Sequence, residues 1–379
     1  MRVLFISGLT GFVAGGVQTE MVRLIGGARD RGFDVAFVID KLPGPLADVR
    51  HFPIDYPPTD RAGDQIAAAV AAFSPDYVHV IGGGLNTLQP VDKLGLSVPW
   101  VFTAHNVPPY ERISSYFHGS DRLHYLVRNA KSLPTILTWR RFLRAGTFAK
   151  VIAHSQGVAS HVIAYGCPAD KVVTIPFGCD PPPAAATSTA ASPFPADAFP
   201  KVLTVAGHAF HKGAHDYMSA VATLVDRYPK IAYRIIGDSR NGAYLRFLQG
   251  RTREPKLAGH VELLQNASEE VKWAALATAD LYVQPSHEEG FCLAFAEAVM
   301  VAPRLIGCRT GEIAGLAGGD PTTRVVEPKD VTGMVAATEA LLAVPVTPAD
   351  VDARAQRLLG RYSWSAYLDR HLALFSRPV

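Results

Sequence analysis

The segment His287-Glu288-Glu289-Gly290-Phe291-Cys292-Leu293-Ala294-Phe295-Ala296-Glu297-Ala298 carries the densest chemistry-bearing pattern in the chain. It follows an apolar run at 281–284 and opens a helical pattern, so it predicts a strand, a loop and a helix that starts near Phe291. The first N–H groups of such a helix, at Phe291, Cys292 and Leu293, lack intrahelical partners and can hold a diphosphate. Glu289 then falls in the loop just before that helix, and Glu297 about two turns along it. A carboxylate accepts hydrogen bonds from paired hydroxyls such as those of a ribose. Glu297 stands among Leu293, Phe295, Ala296, Ala298 and Val299, where an unpaired charge is costly, so it needs a partner. The plainer alternative is an ordinary acid at a helix N-terminus for Glu289 and a salt-bridged one for Glu297.

Two further loops offer anion contacts. After the run at 202–205 comes Ala206-Gly207-His208-Ala209-Phe210-His211-Lys212-Gly213, where a cation could neutralise phosphate charge without a metal ion. Lys212 is the leading candidate there, while His208 and His211 are equally compatible with packed or solvated histidines. Near the N-terminus, Ser7-Gly8-Leu9-Thr10-Gly11-Phe12-Val13-Ala14-Gly15-Gly16 leads into a helical pattern, and glycines at such a junction let backbone N–H groups approach an anion or a sugar. The spacing is not GxGxxG, which disfavours a dinucleotide fold. A glycine turn required only by chain geometry would look the same. The single DxD triplet, Asp350-Val351-Asp352, follows Thr347-Pro348 and reads as helix capping, so no metal ligands are assigned.

These loops need two scaffolds. Apolar runs at 3–6, 35–39, 77–81, 100–103 and 151–153, separated by helical stretches, predict buried parallel strands of one α/β domain. A second series runs through 202–205, 233–236, 261–264, 281–284 and 303–306. Between them Cys179-Asp180-Pro181-Pro182-Pro183 and the Ala/Ser/Thr-rich stretch that follows read as a linker. A length of 379 residues suits two cores. The expected layout is an N-terminal domain at 1–180, a linker at 181–200 and a C-terminal domain at 201–361. Ligands would sit in the strand-to-helix loops between the two. A net charge of +3 is too small to mark a nucleic-acid binder. Four scattered cysteines without a CxxC pair suggest a reducing, cytoplasmic setting, and no apolar run approaches a membrane span or a secretion signal.

Taken in order, Gly15-Gly16 after the first strand, His105 in Thr103-Ala104-His105-Asn106, Pro176-Phe177-Gly178-Cys179-Asp180 before the linker, Lys212-Gly213, and Glu289 with Glu297 at E-x7-E spacing resemble the family 4 glycosyltransferases. The resemblance covers nearly the whole chain. It implies the GT-B fold, two Rossmann-like α/β domains facing each other across a cleft, with a C-terminal helix at 362–379 returning to the N-terminal domain. It also implies transfer of a sugar, with retention of anomeric configuration, from a UDP- or GDP-linked donor to a glycan, lipid-linked or small-molecule acceptor. No cofactor or metal is implied. By this likeness His105 contacts the donor sugar near the reacting centre and Gly15 and Gly16 approach the diphosphate. Glu289, Gly290, Phe291, Cys292 and Leu293 meet the sugar and phosphates, Lys212 neutralises them, and Glu297 binds the ribose. Ser155 and Asp238 match family loop positions. Where the family carries an arginine before the lysine, this chain has His208, whose partial charge predicts weaker diphosphate binding at higher pH. Cys179 and Thr310-Gly311-Glu312-Ile313 are smaller departures.

Arg112, Arg122, Arg128, Lys131, Arg140, Arg141, Arg144 and Lys150 interleave with Tyr116, Phe117, Tyr125, Trp139 and Phe142. This segment, 112–150, suggests contact with an anionic acceptor or the inner face of a membrane. A solvated basic helix face packing its apolar side inward fits equally. Two other functions stay open at this point, a nucleotide-sugar epimerase and a catalytically silent sugar-binding protein.

Overall fold

The computed structural model describes residues 1–8, 16–105, 133–183, 191–238 and 242–375. These form two compact units, Met1–Gly178 with the C-terminal segment from Trp364, and Cys179–Ser363. Each unit is built on one parallel sheet.

In the first unit the strands are β1 (Arg2–Ile6), β2 (Asp34–Val38), β3 (Arg50–Phe52), β4 (Tyr77–Ile81), β5 (Trp100–Ala104), β6 (Lys150–Ala153) and β7 (Val172–Thr174). Their order is β3-β2-β1-β4-β5-β6-β7, all parallel. Helices Gly16–Asp30, Ala62–Phe73, Leu85–Lys93 and Gln156–Ala164, together with a helical stretch at 133–145, cover the sheet. The central strands are buried almost throughout because both of their faces are covered, and the polar His79 of β4 and Thr103 of β5 pair with each other at 2.8 Å. The helix Trp364–Phe375 completes this core although the whole second unit separates it in sequence. Its Phe375 ring lies 4.8 Å from Tyr77 and 6.2 Å from Phe5. A Cβ added at Gly27 would come within 2.5 Å of Leu368, so glycine there permits the close helix–helix approach.

The second unit contains β8 (Lys201–Val205), β9 (Ala232–Ile236), β10 (Val261–Leu264), β11 (Leu281–Gln284), β12 (Leu305–Cys308) and β13 (Thr323–Val326). The order is β10-β9-β8-β11-β12-β13, again parallel. Strand succession reverses between β8 and β11, the switch point at which open sheets of this kind leave a crevice for ligands. Residues 191–200, inside the expected linker, belong to this unit. Phe194 is buried under the Arg234 guanidinium, and Ser192 Oγ lies 2.9 Å from Thr278 Oγ1.

No helix among the described residues is long and apolar enough to cross a membrane. All four cysteines are buried free thiols. The helical stretch at 133–145 buries Trp139, Phe142 and Leu143 in the first core and leaves Arg140, Arg141 and Arg144 exposed. Its aromatic side is therefore committed to packing, which removes the described aromatics from the expected membrane contact. Residues 112–132 of that segment lie outside the described residues.

Candidate functional site

The loops after β8 and β11 flank the switch point, and the chain binds them together. The His287 N–H donates to the His211 carbonyl at 2.7 Å, and His287 Nε2 lies 2.6 Å from Asp216 Oδ2. Gly213 makes the approach possible. Its φ is +67°, and a Cβ there would stand 1.9 Å from the Pro285 carbonyl oxygen. Lys212 thereby meets Glu289, with Nζ donating to Oε2 at 2.7 Å.

Glu289 is nearly inaccessible and has further donors, Ser286 Oγ at 2.7 Å and Gln284 Nε2 at 3.2 Å on its other oxygen. Burial pushes its carboxyl pKa up, but Lys212 and these hydrogen bonds outweigh that and hold it below the usual value. Burial likewise works against the Lys212 ammonium, while the Glu289 carboxylate prevails and raises its pKa. The loop at 310–312 packs against the backbone and Cβ of the same residue, since a Cβ on Gly311 would lie 2.8 Å from Glu289 Cβ.

The helix starts at Leu293, two residues later than expected, and runs to Val301. The delay has a backbone cause. Cys292 precedes the first turn in a left-handed conformation, φ +85°, and no side chain caps the N-terminus. Gly290 leads into this turn, and the buried Phe291 ring packs against Tyr362 at 5.7 Å.

Glu297 finds its partner in Lys272, at 3.0 Å, and that lysine also binds Glu269 at 2.8 Å. Here burial wins, and the Glu297 pKa is raised despite Lys272. Lys272 is a site neighbour the sequence reading missed. It sits alone on the Glu269–Thr278 helix, and a lone lysine facing an apolar stripe was the only available signal. Gln284 and Ser286 were missed too, because strand-end polar residues are common.

His208 is 2% exposed, and burial lowers its pKa below the ordinary value. Burial thus favours its neutral imidazole. The backbone N–H of His208 donates to the Asp238 carbonyl at 2.8 Å. The Asp238 carboxylate in turn accepts from the Asn266 N–H at 2.7 Å.

In the first unit, Gly16 opens the helix Gly16–Asp30, while Gly15 lies outside the described residues. Ser155 caps the helix Gln156–Ala164, accepting from the Val158 N–H at 3.1 Å. His105 follows β5 and donates from Nε2 to Glu20, a fully buried carboxylate. Tyr367 donates its hydroxyl to the other Glu20 oxygen at 2.6 Å. Glu20 also went unnoticed in the sequence, although a charge in line with Leu24 and Ala28 on the buried face of a helix is a readable anomaly.

Among the described residues two groups have the ligand types to hold a metal ion, Glu20 with His105 and His154, and Asp216 with His215 and His287. The Asp350 triplet does not join them, since Asp350 forms a capping box with Thr347.

Two parallel-sheet units of this kind, with a polar cluster at a switch point, define the GT-B architecture. The glycosyltransferase family 4 model matches residues 14–181 and the glycosyl transferases group 1 model matches 190–358, and the chain belongs to this family. Over 155 residues it is 26% identical to the phosphatidyl-myo-inositol mannosyltransferase of Mycolicibacterium smegmatis, which covers 41% of this chain and 39% of that protein. Over 235 residues it is 29% identical to the D-inositol 3-phosphate glycosyltransferase of Kineococcus radiotolerans, covering 57% of this chain and 54% of the relative. These matches thus span between two-fifths and about half of the relatives' lengths. The structure of Anabaena HepE in complex with UDP-glucose aligns with a TM-score of 0.69 at 16% identity, over 99% of each chain.

Proposed function

We propose that this chain is a glycosyltransferase of hexosyl type. It moves a sugar from a UDP- or GDP-linked donor to an acceptor, retains the anomeric configuration and uses no metal ion. The observation that carries the reading is the Lys212–Glu289 pair, held at 2.7 Å on the two loops that flank the switch point, with the uncapped helix of Glu297 starting beside it. Family membership and the names of the relatives support the same chemistry.

Breaking a sugar–diphosphate bond places positive charge on the sugar and negative charge on the leaving phosphate. In this reading Lys212 and the N–H groups from Gly290 to Leu293 stabilise the phosphate. Glu297 takes the ribose hydroxyls, and Glu289 meets the donor sugar. His105 contacts the sugar where charge develops, and no protein nucleophile is required. The exposed Arg140, Arg141 and Arg144 suit an anionic acceptor or headgroup. Failure to sediment with anionic vesicles at low salt removes the headgroup.

A thermal-shift screen of nucleoside diphosphates, followed by transfer assays with and without EDTA, tests the proposal. A nucleotide at 100 times its Kd adds about 2.7 kcal/mol of stability. Glu297→Ala, still folded, is expected to lose both this shift and transfer, while EDTA changes neither. A full shift in that variant, or a donor epimer formed without acceptor, overturns the reading.

A further inference from the structure

From the contacts around Glu20 we infer that this residue positions His105, fixing which ring nitrogen faces the substrate, and that the C-terminal helix is part of the device through Tyr367. The inference rests on the reading above that His105 contacts the donor sugar.

Glu20 is fully buried on the first helix. Burial raises its carboxyl pKa, but His154 and His105 more than reverse this and hold it well below the usual range. An ionised carboxylate only accepts hydrogen bonds, so every partner must donate to it or approach as a cation. Tyr367 therefore points its O–H at Glu20, and His105 carries a proton on Nε2.

His154 stands on the other side. Its Nδ1 donates to the Ile175 carbonyl at 3.0 Å, and its Nε2 lies 3.2 Å from Glu20 Oε1 without hydrogen-bond geometry. The Phe177 ring stacks on His154 at 3.9 Å and keeps it in place. The carboxylate is thus gripped from β6 and from the C-terminal helix, and what it does with its second oxygen is hold His105.

With Nε2–H committed to Glu20, the neutral His105 ring offers its lone pair only at Nδ1, and the protonated ring offers its second donor there. Nδ1 is then the atom that meets the substrate. This is the logic of a carboxylate that orients an imidazole without touching the reacting atoms.

The test combines a double-mutant cycle with a spectroscopic readout. Glu20→Ala and His105→Ala are each expected to lower kcat about 100-fold. Donor KM stays within about threefold in each. The double variant falls no further than the worse single one, because Glu20 acts through His105. Glu20→Gln, which keeps an acceptor oxygen, recovers about tenfold over Glu20→Ala. In 15N-histidine spectra of the full chain, His105 shows the Nε2–H tautomer, and Glu20→Ala removes this preference. Multiplicative losses in the double variant, or an Nδ1–H tautomer in the parent protein, overturn the inference. So does a zinc ion retained stoichiometrically through dialysis and lost in Glu20→Ala, since these three residues also suit zinc. If the parent protein transfers no sugar from any donor, the proposed function fails, while the tautomer still decides the role of Glu20.

Discussion

At the residue scale, the two acids of the donor loop and helix behave in opposite ways, and both behaviours are measurable. Glu289 has a depressed pKa in the folded protein, so its contribution to stability is present above the unfolded value of ~4.3 and is lost as pH falls through the folded one. The raised pKa of Lys212 adds stability that is complete below the unfolded value of ~10.4 and lost as pH rises through the folded one. The pair is therefore fully effective across neutral pH. Lys212→Ala leaves a buried carboxylate without its cation and is expected to destabilise by about 3 kcal/mol in urea at pH 7. Adding Glu289→Gln recovers most of that loss, and neither variant transfers sugar. Glu297 runs the other way. Its raised pKa means that its charge opposes folding at neutral pH, the burden being absent below the unfolded pKa. Glu297→Gln is expected to raise the stability of the ligand-free protein by about 1 kcal/mol at pH 7, with the gain vanishing in acid, while nucleotide binding weakens. That Glu289 lies in the loop and Glu297 on the helix after it was legible in the sequence pattern. Glu20 was not, because its meaning depends on His105 and on Tyr367, 347 residues away, which only the fold brings to it.

At the scale of elements, strands buried on both faces were legible in the sequence, whereas three of the four sheet-edge strands were not, β10 at Val261–Leu264 being the edge strand that was. β3, β7 and β13 went unnoticed because Arg50, His51, Thr174, Thr323 and Arg324 break the continuous apolar pattern that marks the central strands. The start of the Leu293 helix was misplaced for a different reason, since nothing in a sequence announces that Cys292 adopts a left-handed φ. Gly213 is the glycine whose conformational freedom the site requires. Gly213→Ala would force a Cβ to 1.9 Å from the Pro285 carbonyl at φ +67°, so the loops after β8 and β11 must separate. The expected result is a loss of at least about 2 kcal/mol in urea denaturation. Nucleotide-induced thermal stabilisation should disappear with it, because Lys212 no longer reaches Glu289. A variant that kept both the stability and the shift would show that the junction is not what places the lysine.

At the scale of the whole molecule, the chain leaves the first unit after Gly178 and returns to it at Trp364. The returning helix is a structural part of that unit. Tyr367, Leu368, Leu372 and Phe375 are all buried, and the Phe375 ring lies 6.0 Å from His79 and 4.8 Å from Tyr77. Burying each such side chain contributes roughly 1.5–3 kcal/mol, so four together rival the ~5–15 kcal/mol that stabilises a typical domain. A chain ending at Ser363 should therefore fail to hold its first unit. The second unit loses none of its own residues, since it runs from Cys179 to Ser363. Calorimetry of the shortened chain is expected to show one cooperative transition in place of the full protein's area, and limited proteolysis should leave a resistant fragment covering the second unit. That fragment should still be stabilised by the nucleoside diphosphate that stabilises the full chain, because Lys212, Glu289 and Glu297 all remain. Transfer should be absent, since His105 and its Glu20 support are lost with the first core. Sugar transfer by the shortened chain would remove His105 from the mechanism. Loss of nucleotide stabilisation would instead show that the donor needs the first unit in order to bind.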